Sequence, residues 1–209
     1  RGRFDLFDIK IHGLDALNRA LADGRGCLLL GSHLGSFEVL RALGFSNEQT
    51  KAKVLMEERN APLIREPIQE LNPAVADSVI QVGDVDTMLH VRECLERGAL
   101  VGIMGDRLMS QEQFVMCDFL GFPAAFPSGV MRLAHAVSTP VVLFFGLYRG
   151  ANRYDVHLGL LSQTVRLSPE RREDDMRQWT QRYADRLAQY SRDAPDNWFN
   201  FYDFWQAPR

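Results

Sequence analysis

Apolar residues along the chain come in two rhythms. In "LDALNRALADGRG", Leu14, Leu17 and Leu21 recur every three or four positions, which predicts an amphipathic helix ending near Gly24 and Gly26. "CLLLG" is a short continuous apolar run, the pattern of a central strand covered on both faces. "SFEVLRALG" returns to helical spacing, with Ser36 as a candidate N-cap and Gly44 as its stop. "KAKVLME", "DSVIQVG" and "ALVGIMGD" predict three more strands, and "PLIREPIQELN" a short helix interrupted by Pro67. A helix capped by Asp84 or Asp86 runs to about Arg97. Residues 108–127 read as a long loop containing "FLGFPAAFP". Ser128 then caps a helix over "GVMRLAHAV", and "TPVVLFFGLYR" and "RYDVHLGLL" predict the last strands. A final amphipathic helix over about 170–190 carries Met176, Trp179, Tyr183, Leu187 and Tyr190 as its stripe, before the aromatic "NWFNFYDFW".

Strands alternating with helices predict an α/β fold: a mixed, largely parallel central sheet flanked by helices, its last two strands an antiparallel hairpin. Ligands in such folds sit at the carboxyl ends of strands. Two strands here end in small-residue turns bearing polar groups, "LLLGSH" and "GIMGDR", which makes that edge the leading candidate site.

Composition narrows the classes. With 209 residues, 46% of them hydrophobic, one domain over 1–209 is expected. The abrupt start at "RGRFDLFDIK", without methionine, suggests excision from a longer chain. A net charge of −3 demands no nucleic-acid partner. Lysine occurs only at Lys10, Lys51 and Lys53, a bias that suits planar anion recognition but follows equally from GC-rich coding. Cys27, Cys94 and Cys117 show no CxxC or Cys/His ligand spacing, which indicates a reducing compartment, with Cys27 and Cys94 in the core. No apolar stretch approaches about 18 residues, so the chain does not cross a membrane by itself.

His33 lies just past the "LLLG" run, and Glu38 follows five positions later. Two fully helical residues so spaced point about 140° apart. With His33 in the preceding loop, the carboxylate can reach one imidazole nitrogen, fix the tautomer and make the ring a general base. Spacing alone leaves this reading open beside a backbone-bonded loop histidine with Glu38 as a solvated helix residue. No G-x-S-x-G elbow is present, which disfavours a serine hydrolase. His12, His33, His90, His135 and His157 are scattered without ligand spacing, so no metal is expected. No P-loop or G-x-G-x-x-G follows a strand, so no nucleotide cofactor is expected either.

"GSHLGSFEVL" resembles the His-x4-Asp/Glu motif of the lysophospholipid acyltransferase superfamily, nearest the lipid A biosynthesis (lauroyl/myristoyl) acyltransferases. "ERGALVGIMGDR" resembles that branch's strand ending in aspartate. "FLGFPAAFPSGVMRLAHAVSTPVV" resembles its Phe-x-Gly-x-Pro-Ala loop, following helix and strand, and "NWFNFYDFW" its aromatic ending. The resemblance covers roughly residues 10–205. It implies a glycerolipid-acyltransferase-like fold without cofactor. It also implies transfer of a fatty acyl group from acyl-carrier protein or acyl-CoA to a hydroxyl of a lipid or glycolipid, on the cytoplasmic face of a bacterial inner membrane.

In the same resemblance, His33 is the base, Glu38 orients it and Asp106 belongs to the site. The branch's arginine is a departure: "VLMEERNAP" has Met56 or Glu57 near its position, leaving Arg59, displaced by a few residues, or Arg107. Phe119, Phe122 and Phe126 of the expected loop are candidates for an acyl channel or a bilayer surface, the other reading being a loop packed over the core. Ser128 completes the candidate substrate-binding set. An acyl thioesterase on the same fold and a non-catalytic lipid- or carrier-binding module are the rival readings.

Overall fold

A computed structural model of the chain describes residues 6–36, 39, 52–57, 79–82, 86–108 and 112–206. The strands are β1 (Asp8–His12), β2 (Cys27–Gly31), β3 (Ala52–Glu57), β4 (Val79–Val82), β5 (Leu100–Met104), β6 (Phe114–Phe119), β7 (Phe122–Pro127), β8 (Val141–Tyr148) and β9 (Arg153–Ser162). The helices are α1 (Leu14–Ala20), α2 (Thr87–Glu96), α3 (Gly129–Val137) and α4 (Arg172–Asp193).

Seven strands form one sheet in the order β1-β9-β8-β2-β5-β3-β4. Every neighbouring pair is parallel except β8 and β9, the expected antiparallel hairpin. β2 lies at the centre, and its three leucines are 0% exposed. Leu28 and Leu30 face a cluster with Val91 and Leu95 of α2, Met131 of α3 and Leu187 of α4. Cys27 and Leu29 face the opposite cluster with Ala20 of α1, Val142 and Val156. A strand covered on both faces has no polar side to present, which is why it reads as an unbroken apolar run.

Two elements correct the sequence reading. "DIKIH", left unassigned, is edge strand β1, pairing in parallel with β9. The expected loop at 108–127 is mostly an antiparallel hairpin, β6 and β7, turning through Leu120 and Gly121 at φ 54° and 97°. Its pairing runs Phe119 with Phe122 and Asp118 with Pro123, then on to Phe114 with Pro127. Counting from the tight turn, both prolines fall at positions that owe no hydrogen bond to β6, so the ladder loses nothing. The outward-facing edge at Asp118 is covered by α4: the Gln181 side chain accepts from the Asp118 N–H at 2.9 Å and donates to its carbonyl at 2.9 Å.

Candidate active site

The carboxyl ends of β2 and β5 deliver the site. β2 stops at Gly31, and His33 turns out of the sheet; β5 stops at Met104, and Asp106 follows after Gly105. A Cβ on Gly105 would sit 2.7 Å from Leu30 Cδ1, so a larger residue there would press on the strand that carries His33.

Asp106 is 1% exposed and spends both oxygens on one residue. Oδ1 lies 2.8 Å from His33 Nδ1, and Oδ2 accepts the His33 backbone N–H at 3.0 Å. The His33 side chain remains 26% exposed. An imidazole fixed through Nδ1 to a buried carboxylate has its tautomer and orientation set, with Nε2 left for proton transfer. The arrangement suits general-base chemistry at a partly open edge.

The surrounding backbone is tightly tied. The N–H groups of Leu34, Gly35 and Ser36 donate to Ser32 Oγ (3.2 Å), the Asn197 carbonyl (2.8 Å) and the Gly146 carbonyl (2.8 Å). Gly35 has φ +76°, and a Cβ there would stand 2.2 Å from the Gly146 oxygen, so only glycine fits. The Asn197 side chain grips Tyr148, accepting its N–H at 2.6 Å and donating to its carbonyl at 3.3 Å. The Phe199 N–H donates to the His33 carbonyl at 3.0 Å, which lays the C-terminal aromatic segment against the histidine.

Residues 3–207 match the family model of the bacterial lipid A biosynthesis acyltransferases. The chain belongs to that family. No curated protein matches the sequence. The protein is therefore an acyltransferase, with an acyl donor and a lipid acceptor as its general substrates.

The acyltransferase brings together only part of the predicted set. His33 and Asp106 meet directly, while Glu38 and Arg59 lie outside the described residues. Arg107 donates from its guanidinium to the Phe199 carbonyl and stands 5.9 Å from the Tyr202 ring centre; its Nε is buried without a hydrogen-bond partner. It clamps the C-terminal segment beside His33.

The three phenylalanines separate. Phe119 and Phe126 are fully buried, 5.4 Å apart, and pack with Phe204; they are core residues, not the lining of an open channel. Phe122, at the hairpin turn, is 64% exposed. Ser128 is buried, its hydroxyl donating to the Gln113 carbonyl at 2.9 Å, so it anchors the hairpin base instead of capping α3 through its side chain.

Two contributors escaped the sequence reading. Tyr183, assigned only to an apolar stripe, donates its hydroxyl to the Gly31 carbonyl at 2.8 Å, beneath the turn that carries His33. Burial, reinforced by the Asp106 carboxylate, pushes its phenol well above the ordinary value, so it remains a neutral donor. A phenol in an otherwise apolar stripe must find a partner, and that was the available signal. Asn197 opens the aromatic ending "NWFNFYDFW", where nothing local marks it as a clamp.

Proposed function

We propose that this acyltransferase moves a fatty acyl group from an acyl thioester, on acyl-carrier protein or coenzyme A, to a hydroxyl of a lipid or glycolipid. The observation that supports it best is the 2.8 Å contact of His33 Nδ1 with the buried Asp106 carboxylate. With Nδ1 carrying a proton to that carboxylate, Nε2 accepts the proton of the acceptor hydroxyl. The oxygen attacks the thioester carbonyl, a C–O bond forms and the C–S bond breaks, and the proton on His33 passes to the departing thiolate. No acyl-enzyme is needed.

Glu38 enters the proposal through the His-x4-Glu motif alone, and Arg59 through its approximate place in the sequence after β3. Arg107 is proposed to hold the substrate-side wall formed by the C-terminal segment. The amides of Leu34, Gly35 and Ser36 are already bonded within the fold, so the charge on the tetrahedral oxygen calls for another donor.

The reaction is placed at the cytoplasmic face of a bacterial inner membrane. Among the described residues no helix is long and apolar enough to cross a bilayer. An exposed aromatic patch adjoins the site instead: Phe199, Phe201 (90% exposed), Tyr202, Trp205 and, across the hairpin turn, Phe122. Rings of this kind lie favourably at a membrane–water interface.

The test is acyl transfer from acyl-carrier-protein thioester to a lipid A precursor, read by mass spectrometry, with His33→Ala compared with the parent. Loss of product in a folded variant is expected; full activity would sink the mechanism. Rapid turnover of thioester without acceptor would favour the thioesterase reading.

A further inference from the structure

A second cluster of chemistry-bearing residues lies two and three strands away from β2, on β9 and the edge strand β1. Their parallel register sets His12 directly opposite His157 and Lys10 opposite Asp155. Residues two apart on a strand share a face, so two imidazoles and a carboxylate converge. One ligand atom from each of His12, Asp155 and His157 lies within 4.8 Å of the others. The two rings stack at 4.7 Å with 12° between their planes, and His12 Nε2 is 4.0 Å from Asp155 Oδ1.

Three further observations point to a ligand. First, Asp155 is oriented from behind, because Oδ2 accepts Arg149 Nε at 2.9 Å and Oδ1 is left toward His12. Outer hydrogen bonds of this kind commonly hold a metal-binding carboxylate in place. Second, His157 Nε2 is buried without a hydrogen-bond partner. A buried ring nitrogen left unpaired costs free energy, which a bound partner would offset. Third, the site has a closed inner end and an open outer one. The His157 ring packs 4.8 Å from Tyr190 of α4, while the His12 side chain is 52% exposed and offers a path of entry.

We propose that His12, Asp155 and His157 form a binding site for a divalent transition-metal ion of the zinc type, tying edge strand β1 to β9. Two imidazole nitrogens and one carboxylate oxygen are a donor set that zinc accepts, with a fourth position for water. Bond lengths of about 2.0–2.2 Å place tetrahedral ligand atoms about 3.4 Å apart. Rotation of the half-exposed His12 supplies the closure from the present spacing. The ion adds a function that acyl transfer does not use: it pins a short edge strand with few buried side chains of its own.

Zinc chloride is titrated by calorimetry into untagged, chelator-treated full-length protein, and cobalt chloride is followed by its visible absorption. The expected result is binding at equimolar ratio with a tetrahedral cobalt spectrum and a zinc-dependent rise in melting temperature. His12→Ala, at an exposed position, should keep the fold, weaken binding by at least about 10-fold and abolish the cobalt spectrum. His33→Ala should bind zinc as the parent does, which separates this site from the acyl-transfer site. No equimolar binding in the parent, or binding unchanged in His12→Ala, overturns the proposal.

Discussion

Asp106 holds His33 twice, by backbone and by ring, so its substitutions separate structure from chemistry. In Asp106→Asn the amide oxygen can keep one contact, but its NH2 then faces the other. If that is Nδ1, the ring is driven to the tautomer with its proton on Nε2, and base function is lost. The expected outcome is a folded enzyme with kcat lower by about 10²–10⁴-fold; an unchanged kcat removes Asp106 from the reaction. Asp106→Ala also strands a buried N–H, so its melting midpoint should fall as well, by the equivalent of about 1–3 kcal/mol. The three cysteines are free and buried, and burial pushes the thiols of Cys27 and Cys117 up to about 12. Ionisation that far above neutrality leaves almost no thiolate. Native protein at pH 8 should therefore resist iodoacetamide at Cys27 and Cys117, with labelling of both only in denaturant, as located by peptide mass.

At the scale of elements, the β2 turn depends on a backbone approach that only glycine allows. Gly35→Ala combines positive φ with a Cβ driven into the Gly146 oxygen. It should cost about 2–4 kcal/mol in urea unfolding. Gly121→Ala, at φ +97° with open space around it, should cost only about 1–2 kcal/mol; equal losses would show that the close approach is unimportant. The same contrast explains what the sequence made legible. β2, β5 and β8 are continuous apolar runs because both their faces are covered, and such runs announce themselves. β1 offers only Ile9 and Ile11 on a partly exposed edge, too little apolar pattern to announce a strand. The β6–β7 hairpin was concealed by Pro123 and Pro127, which argue against a strand unless the pairing phase is known. Its turn is Leu-Gly, not the Asn-Gly that usually signals one. His33 and Asp106 were both named, but their contact was not: 73 residues separate them, and only the sheet order brings β2 beside β5.

For the whole molecule, the proposed membrane face is the aromatic patch around Phe122 and Phe201. Replacing both by aspartate removes two exposed rings and adds two charges to a protein whose net charge is already −3. Sedimentation with phosphatidylglycerol-containing vesicles should fall several-fold while turnover of a water-soluble thioester is retained; undiminished sedimentation would move the membrane contact elsewhere. The bonds that build the site also share a property of time. Tyr183 reaches back 152 residues to Gly31, Arg107 reaches forward 92 to Phe199, and Phe199 itself closes on His33. During synthesis the central strands can pair before α4 exists, but the histidine has no finished wall until the segment after α4 has left the ribosome. Contacts so distant in sequence are the last to be rewarded in folding. A nascent chain therefore acquires its sheet early, and under the proposed mechanism its catalytic competence comes late.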